Sequence, residues 1–332
     1  MIKVAVVGYG YWGPNLLRNL NNQDAFEVTY LVEKRADRIA AAQGVYPKLK
    51  GSEDLANILS EIDAVVIATP VFTHFELAKL ALENGVHVLL EKPMTSSVEE
   101  SKTLINLSKE KGLALMVDHT FLYTGAVRKM KDLVDSGSIG DINYVDSTRI
   151  NLGLFQPDVN VLWDLAPHDI SIVNYLLGED PISVQATGIS HTNNEIENIA
   201  YLTINYPDNK IVHFNCSWSS PVKIRQMLIG GSKKMILFND MEPTEKIKVY
   251  DTGFEVKSDQ DRERILVDYR VGDIYVPKLD TLEALAAVVR DFADAIENKT
   301  RPVSDYLSGL HVIKVLEASS QSLKNNGMEI KI

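Results

Sequence analysis

The chain has 332 residues, a net charge of −11, and 45% hydrophobic and 24% charged residues, a globular composition that excludes extensive disorder. No lysine–arginine cluster offers a platform for nucleic acid, and no apolar run approaches the ~20 residues of a membrane helix. Cys216 is the one cysteine, so no intrachain disulfide can form; Met1-Ile2-Lys3 runs into Val4 without a leader-like pattern, and a soluble cytoplasmic protein is expected.

The length predicts two domains. Val4 to Val7 is a short β-branched run suited to a strand buried on both faces. Trp12, Leu16, Leu17 and Leu20 then recur at helical spacing, and Phe26 to Val32 reads as a second strand. A helix is predicted over Ala36 to Gln43, with Gly44 as its stop. Strands over Ala64 to Ala68, Val86 to Leu90 and Leu113 to Val117 alternate with helices over Thr73 to Asn84 and Val98 to Lys111. Strand–helix alternation of this kind predicts βαβ units on a parallel sheet, an α/β Rossmann domain over residues 1–119.

Residues 120–332 read differently, as an α+β domain for substrate binding and oligomerisation. Helices are predicted over Gly125 to Ser136 and Asp164 to Leu177, with a strand near Asp141 to Arg149 and an irregular stretch from Asn151 to Leu162. Alternating strands near 182–190, 196–206, 210–218, 223–230, 234–239 and 245–250, joined by short turns, predict an open, largely antiparallel sheet. In 210–218, Val212, Phe214, Cys216 and Trp218 share one side. Two helices close the chain; the first carries Leu282, Leu285, Val289, Phe292 and Ile296 on one stripe.

Gly8-Tyr9-Gly10-Tyr11-Trp12-Gly13 is a G-x-G-x-x-G set between the first strand and the first helix. In such a loop the first glycine allows a tight turn, the second lets a pyrophosphate approach the backbone, and the third lets helix pack on sheet. The loop, with Tyr11 and Trp12 inside it, is therefore expected to hold a dinucleotide at a helix N-terminus. Glu33 ends the second strand, where a carboxylate accepts hydrogen bonds from the ribose hydroxyls of NAD and repels the 2′-phosphate of NADP. Lys34 and Arg35 follow and are able to hold that phosphate, so NAD is favoured with NADP still open.

Ala68-Thr69-Pro70 with His74, Glu91-Lys92-Pro93, and Trp163-Asp164-Leu165-Ala166-Pro167-His168-Asp169 make the pattern more specific. Together with the glycine loop, the chain resembles the glucose–fructose oxidoreductase / inositol dehydrogenase / rhizopine catabolism family (Gfo/Idh/MocA) along nearly its whole length. The resemblance implies a Rossmann domain, a second domain with an open sheet, and hydride transfer between a nicotinamide and a secondary alcohol or ketone carbon of a sugar, nucleotide-linked sugar or cyclitol. It implies cofactor contacts at Thr69, Pro70, His74, Glu91, Lys92, Pro93 and His119. It also implies that Lys92, His168 and Asp164 are catalytic.

The residue types suit that chemistry by themselves. Imidazole titrates near neutral pH and accepts a hydroxyl proton; an ammonium stabilises a developing alkoxide. Asp164 and His168 are four apart, on one face of a helix, and Pro167 suits a first turn in which Asp164 is the N-cap. Two other readings use the same residues: a non-catalytic NAD-binding sensor, and a metal-dependent hydrolase with Asp164, His168 and His119 as ligands, although no clustered metal-ligand spacing is present. Tyr123, Arg149 and Asn151 are candidate substrate contacts, Arg149 for an anionic group such as a diphosphate. The apolar side of 210–218 is expected to be covered by a second subunit in a homodimer or homotetramer.

Overall fold

The computed structural model describes residues 1–153, 155–192, 195–255 and 268–332. The chain divides into two compact units, one of Met1–Thr124 with Leu282–Lys314, the other of Gly125–Thr281 with Val315–Ile332.

The first unit begins with strand β1 (Ile2–Val7), helix α1 (Gly13–Asn21), β2 (Phe26–Val32), α2 (Ala36–Val45), β3 (Lys50–Ser52), β4 (Ala64–Ile67), α3 (His74–Glu83), β5 (His87–Glu91), α4 (Val98–Lys111) and β6 (Leu115–Asp118). The strands form a six-stranded sheet in the order β3-β2-β1-β4-β5-β6, and its pairings are parallel. Val4, Val65, Leu89 and Val117 have no exposed surface, as the wholly apolar strand runs require when both faces are covered. The sheet order reverses between β1 and β4, so the connections leaving the carboxyl ends of these two strands diverge and leave a crevice where ligands bind in such sheets. Gly44 does not stop α2, which continues to Val45 and is capped at Tyr46. The short edge strand β3 has no apolar run, so periodicity does not reveal it.

In the second unit, α5 (Gly125–Asp135), β7 (Ile142–Leu152), α6 (Val161–Leu177), β8 (Ser183–Ile189), β9 (Ile199–Asn205), β10 (Ile211–Ser217), β11 (Ser219–Gly231), β12 (Met235–Asn239), β13 (Ile247–Glu255) and β14 (Asp268–Tyr275) follow in order. With β15 (Ile330–Lys331) from the chain's end, the strands make a nine-stranded sheet ordered β14-β13-β12-β11-β7-β10-β9-β8-β15. β7 and β10 pair in parallel and the other pairings are antiparallel. Val212, Phe214 and Cys216 are buried, and α6 of the same chain packs on β7, β9 and β10. The apolar side of β10 is thus covered within one chain, which corrects the expectation that a second subunit is needed to bury it.

The remaining helices are α7 (Ala284–Glu297) and α8 (Tyr306–Lys324). Helix α7 lies in the first unit, where Phe292 stacks on Phe26 at 6.1 Å between ring centroids and Glu283, just before it, pairs with Arg18 of α1. Its apolar stripe is buried there, at Leu285, Val288, Val289 and Phe292.

Candidate active site

The crevice of the first unit is shaped by its glycines. Gly8 has φ +94°, and a Cβ there would lie 2.5 Å from the carbonyl oxygen of Ala68, at the end of β4. A Cβ on Gly13 would meet the Gly8 carbonyl oxygen at 2.4 Å, whereas nothing lies within 4 Å of one on Gly10. The first and third glycines are therefore required by close backbone approach, and the second opens onto free space into which a phosphate fits. No side chain caps the N-terminus of α1 at Trp12, so this helix end keeps its capacity for an anion. Tyr11 is highly exposed and Trp12 partly so, and their rings meet edge to face at 5.4 Å.

Glu33 stands at the end of β2 as predicted. Its carboxylate accepts the backbone N–H of Tyr9 at 3.0 Å and of Arg35 at 3.1 Å, and pairs with Arg38 at 3.4 Å. Burial works to raise its pKa, but these three donors outweigh it and hold the carboxyl below its ordinary range. Two carboxylate oxygens offer about four acceptor positions, so room for a ribose hydroxyl remains. Arg35 is engaged with Asp37 at 2.7 Å, and Lys34 is exposed. Arg38 is a partner that sequence reasoning missed, because it sits one helical turn past the strand end, where no motif marks it.

Beyond β4, Thr69 and Pro70 follow the strand end that faces the Gly8 turn, and the Thr69 hydroxyl lies 2.6 Å from that of Thr73. His74, expected at the cofactor, is only 1% exposed, with its ring nitrogens 2.9 Å from the Pro93 carbonyl and 2.8 Å from the Thr69 carbonyl. It ties the loop after β4 to the loop after β5. Burial lowers its basicity, and a neutral ring donates one N–H to one of those carbonyls.

The carboxyl ends of β5 and β6 carry a cluster of titratable side chains. Glu91 and Asp118 are register partners, and both are buried. Burial and the neighbouring Asp118 push the Glu91 carboxyl up, with Lys92 opposing; burial likewise raises Asp118, against a hydrogen bond from Thr120 at 2.7 Å and the charge of Lys92. Lys92 follows Glu91 directly, joined to Pro93 by a cis peptide, and is half-buried. His119 is 1% exposed, and neither ring nitrogen has a hydrogen-bond partner among the described residues. Burial first, then Lys92 and His311 of α8, lower its pKa to about 3, so it is neutral at working pH. A buried neutral imidazole with both nitrogens unmet fits a residue that bonds a cofactor or substrate group. Tyr123, by contrast, turns its hydroxyl to Asp291 at 2.6 Å and Ser304 at 3.0 Å and is 2% exposed. The expectation of a substrate contact gives way to a structural role.

In the second unit, α6 starts at Val161, three residues before the predicted start. Its N-cap is Asn160, whose side chain accepts the N–H of Trp163 at 3.2 Å; Asp164 stands in the first turn and Pro167 lies inside the helix. Asp164 is thus not the cap, but an anion in the first turn still meets the positive helix end. Asp164 and His168, both partly exposed, lie one turn apart on the helix. The Asp164 carboxylate accepts the indole N–H of Trp218 at 2.9 Å. Trp218, which the sequence places on an apolar face, is therefore a group that orients this carboxylate. Its ring also meets Phe155 at 5.6 Å and Gly153, so the loop after β7 packs onto it.

Arg149 does not present its guanidinium to an anionic substrate. It is 4% exposed and bound to both oxygens of Asp169 on α6, at 2.9 Å and 2.5 Å, with Ser147 donating to the same carboxylate. Asn151 is half-buried near the end of β7, beside Gly153. Among the described residues no group of three or more His, Cys, Asp or Glu side chains is arranged to hold a metal ion, and no helix is long and apolar enough to cross a membrane.

Residues 2–119 match a family model described as an oxidoreductase family with an NAD-binding Rossmann fold, and residues 127–237 match the GFO/IDH/MocA C-terminal domain. The UDP-N-acetylglucosamine 3-dehydrogenase of Acidithiobacillus ferrooxidans is 29% identical over 211 residues, 61% of this chain and 64% of that one. The scyllo-inositol 2-dehydrogenase (NAD(+)) of Bacillus subtilis is 31% identical over 198 residues, 56% of this chain and 57% of that one. The solved structure of the A. ferrooxidans dehydrogenase has a TM-score of 0.80 at 23% identity, covering 98% of both chains, and shares the fold.

Proposed function

The chain belongs to the GFO/IDH/MocA oxidoreductase family, with its NAD-binding Rossmann fold, and on that premise we propose that it transfers a hydride between the nicotinamide and a secondary alcohol or ketone carbon of a sugar, nucleotide-linked sugar or cyclitol. The observation that carries this reading lies in the first unit: the glycine cradle between β1 and β4 and Lys92 after β5 occupy the same carboxyl edge of one sheet. The glycine cradle would hold the cofactor's pyrophosphate, and ligands of such sheets bind at this edge.

In this reading the bound nicotinamide would supply the hydride acceptor or donor. Glu33 takes the adenosine ribose hydroxyls and disfavours a 2′-phosphate. His119, neutral and unmet, donates or accepts a hydrogen bond at the cofactor or substrate. Lys92 stabilises charge on the reacting oxygen, His168 moves its proton, and Asp164, held by Trp218, orients substrate hydroxyls or the imidazole. Asn151 remains a candidate substrate contact; Tyr123, Arg149 and His74 are left out because their polar groups are engaged inside the protein. Hydride abstraction and proton removal need both a nicotinamide and a base, which is why these residue types belong together.

Assembly into a homodimer or homotetramer is part of the same reading. It is supported by the side of the sheet opposite α6, where Tyr201, Ile211 and Ile274 are exposed.

The experiment is a turnover screen with NAD and NADP against UDP-linked sugars, free sugars and inositols, following absorbance of the reduced nicotinamide. Turnover with one of these classes is expected. NAD binding by titration with no turnover on any class, in either direction, would favour the sensor reading.

A further inference from the structure

Beside Lys92 stand two buried carboxyls to which the proposed reaction assigns no step. Glu91 and Asp118 are partners on neighbouring parallel strands, so both side chains project from the same face, and the strands are about 4.8 Å apart. They are 9% and 3% exposed. Lys92 donates its backbone N–H to Glu91 Oε2 at 3.3 Å, and its positive charge acts on Glu91, Asp118 and His119.

The balance of charge in such a space is simple. Two ionised carboxylates with one ammonium would leave a net negative charge in a buried site, and like carboxylates this close do not both ionise readily. One retained proton leaves one carboxylate, one ammonium and zero net charge. We propose that Glu91 and Asp118 are positioning residues for Lys92, a buried carboxyl pair that shares one proton and holds the ammonium against its single remaining negative charge.

The raised carboxyls at both positions agree with this, and burial is the main cause at each. Among the described residues, His119 stands at the same strand end, His311 of α8 acts on His119, and Asp305, bridged to Met116 of β6, pairs with Arg301. His119 is neutral and does not alter the count. Thr120 donates to Asp118 Oδ1, which favours Asp118 as the ionised member and Glu91 as the member that keeps the proton. The inference rests on the assignment of Lys92 to the reaction only for its functional meaning; the proton count stands by itself.

Two measurements on the full chain test it, and neither reads turnover. Infrared spectroscopy of the wild type at pH 7 is expected to show a protonated-carboxyl C=O band that is lost in both Glu91→Gln and Asp118→Asn, because a lone remaining carboxyl ionises beside Lys92. Absence of the band in the wild type, or its survival in both variants, overturns the proposal; the wild-type result decides even if a variant fails to fold. The second measurement is the labelling rate of Lys92 by an amine reagent at fixed pH, read by peptide mass spectrometry. Each single variant keeps one carboxylate and should label within about twofold of wild type, whereas Glu91→Gln/Asp118→Asn should label about tenfold faster for each unit by which the ammonium becomes more acidic. Single variants as reactive as the double would overturn the shared proton. Should Lys92→Met retain turnover while these results hold, the assignment of Lys92 to catalysis fails and the carboxyl pair stands.

Discussion

Arg149 and Asp169 in the second unit are buried as deeply as Asp118 and His119 in the first, yet the two groups are completed differently. Asp169 accepts from two nitrogens of a guanidinium and from a serine hydroxyl, so its charge is met by protein alone. The first unit places two carboxyls beside one ammonium and leaves both nitrogens of His119 unmet among the described residues. A buried ion pair with its polar atoms engaged is architecture. A buried group left with unmet polar atoms costs stability and persists where a ligand or a reaction completes it. The same contrast accounts for the correction at Arg149: an arginine at a strand end looks like an anion contact until its carboxylate partner, twenty residues on, is placed beside it.

The largest effects should come from breaking the completed pair. Arg149→Met leaves Asp169 buried and uncompensated and is expected to lower stability by about 3–5 kcal/mol, measured by urea unfolding. Adding Asp169→Leu should recover much of that loss, because no orphan charge then remains. A single variant as stable as wild type would remove the contrast between the two clusters.

At the residues proposed to be catalytic the expected loss is in rate. His168→Asn should lower turnover by ~10²–10⁴ and remove any pH limb belonging to the imidazole. Lys92→Met should lower it by ~10²–10³, with NAD affinity near wild type by titration. In the proposed reaction both serve one proton transfer, so the two losses should not add. Unchanged turnover in Lys92→Met, with a substrate in hand, would remove it from the mechanism.

His119 sharpens the comparison through pH. Its folded pKa of about 3 lies below the ordinary value of about 6.5, so the unfolded chain binds the extra proton between them. Its contribution therefore favours folding above that window and is lost as pH falls through it, by up to about 1.4 kcal/mol per pH unit. Replacing His119 with Asn should flatten the fall in stability between about pH 6.5 and pH 4 in unfolding curves. A curve parallel to wild type would show that another group carries the acid sensitivity.

The smallest expected effect is at the cofactor's far end. Glu33→Ala removes the ribose acceptor and frees Arg38, so the NAD preference over NADP should narrow by roughly tenfold, as expected for losing one charged hydrogen bond, measured by calorimetric titration. Tighter binding of NADP than of NAD by the wild type would undo the reading of Glu33.

Local pattern alone carried much of the molecule. Apolar runs between glycines, the spacing of the glycine loop and the alternation in 210–218 are read within a few residues of themselves, because strand burial and helix amphipathicity are periodic in the chain. The cradle at Gly8 and Gly13, and Glu33 at its strand end, were legible for that reason. What the tertiary structure decided were pairings between residues far apart in the chain. Trp218 holds Asp164 across 54 positions, Tyr123 meets Asp291 across 168, and Leu282–Lys314 return to the first unit although they follow the second sheet. No period in the sequence encodes such contacts. Whether a buried polar side chain is met by protein or left for a ligand depends on which distant group the fold brings to it, and burial makes that difference worth several kcal/mol, or about as much as the marginal stability of a domain.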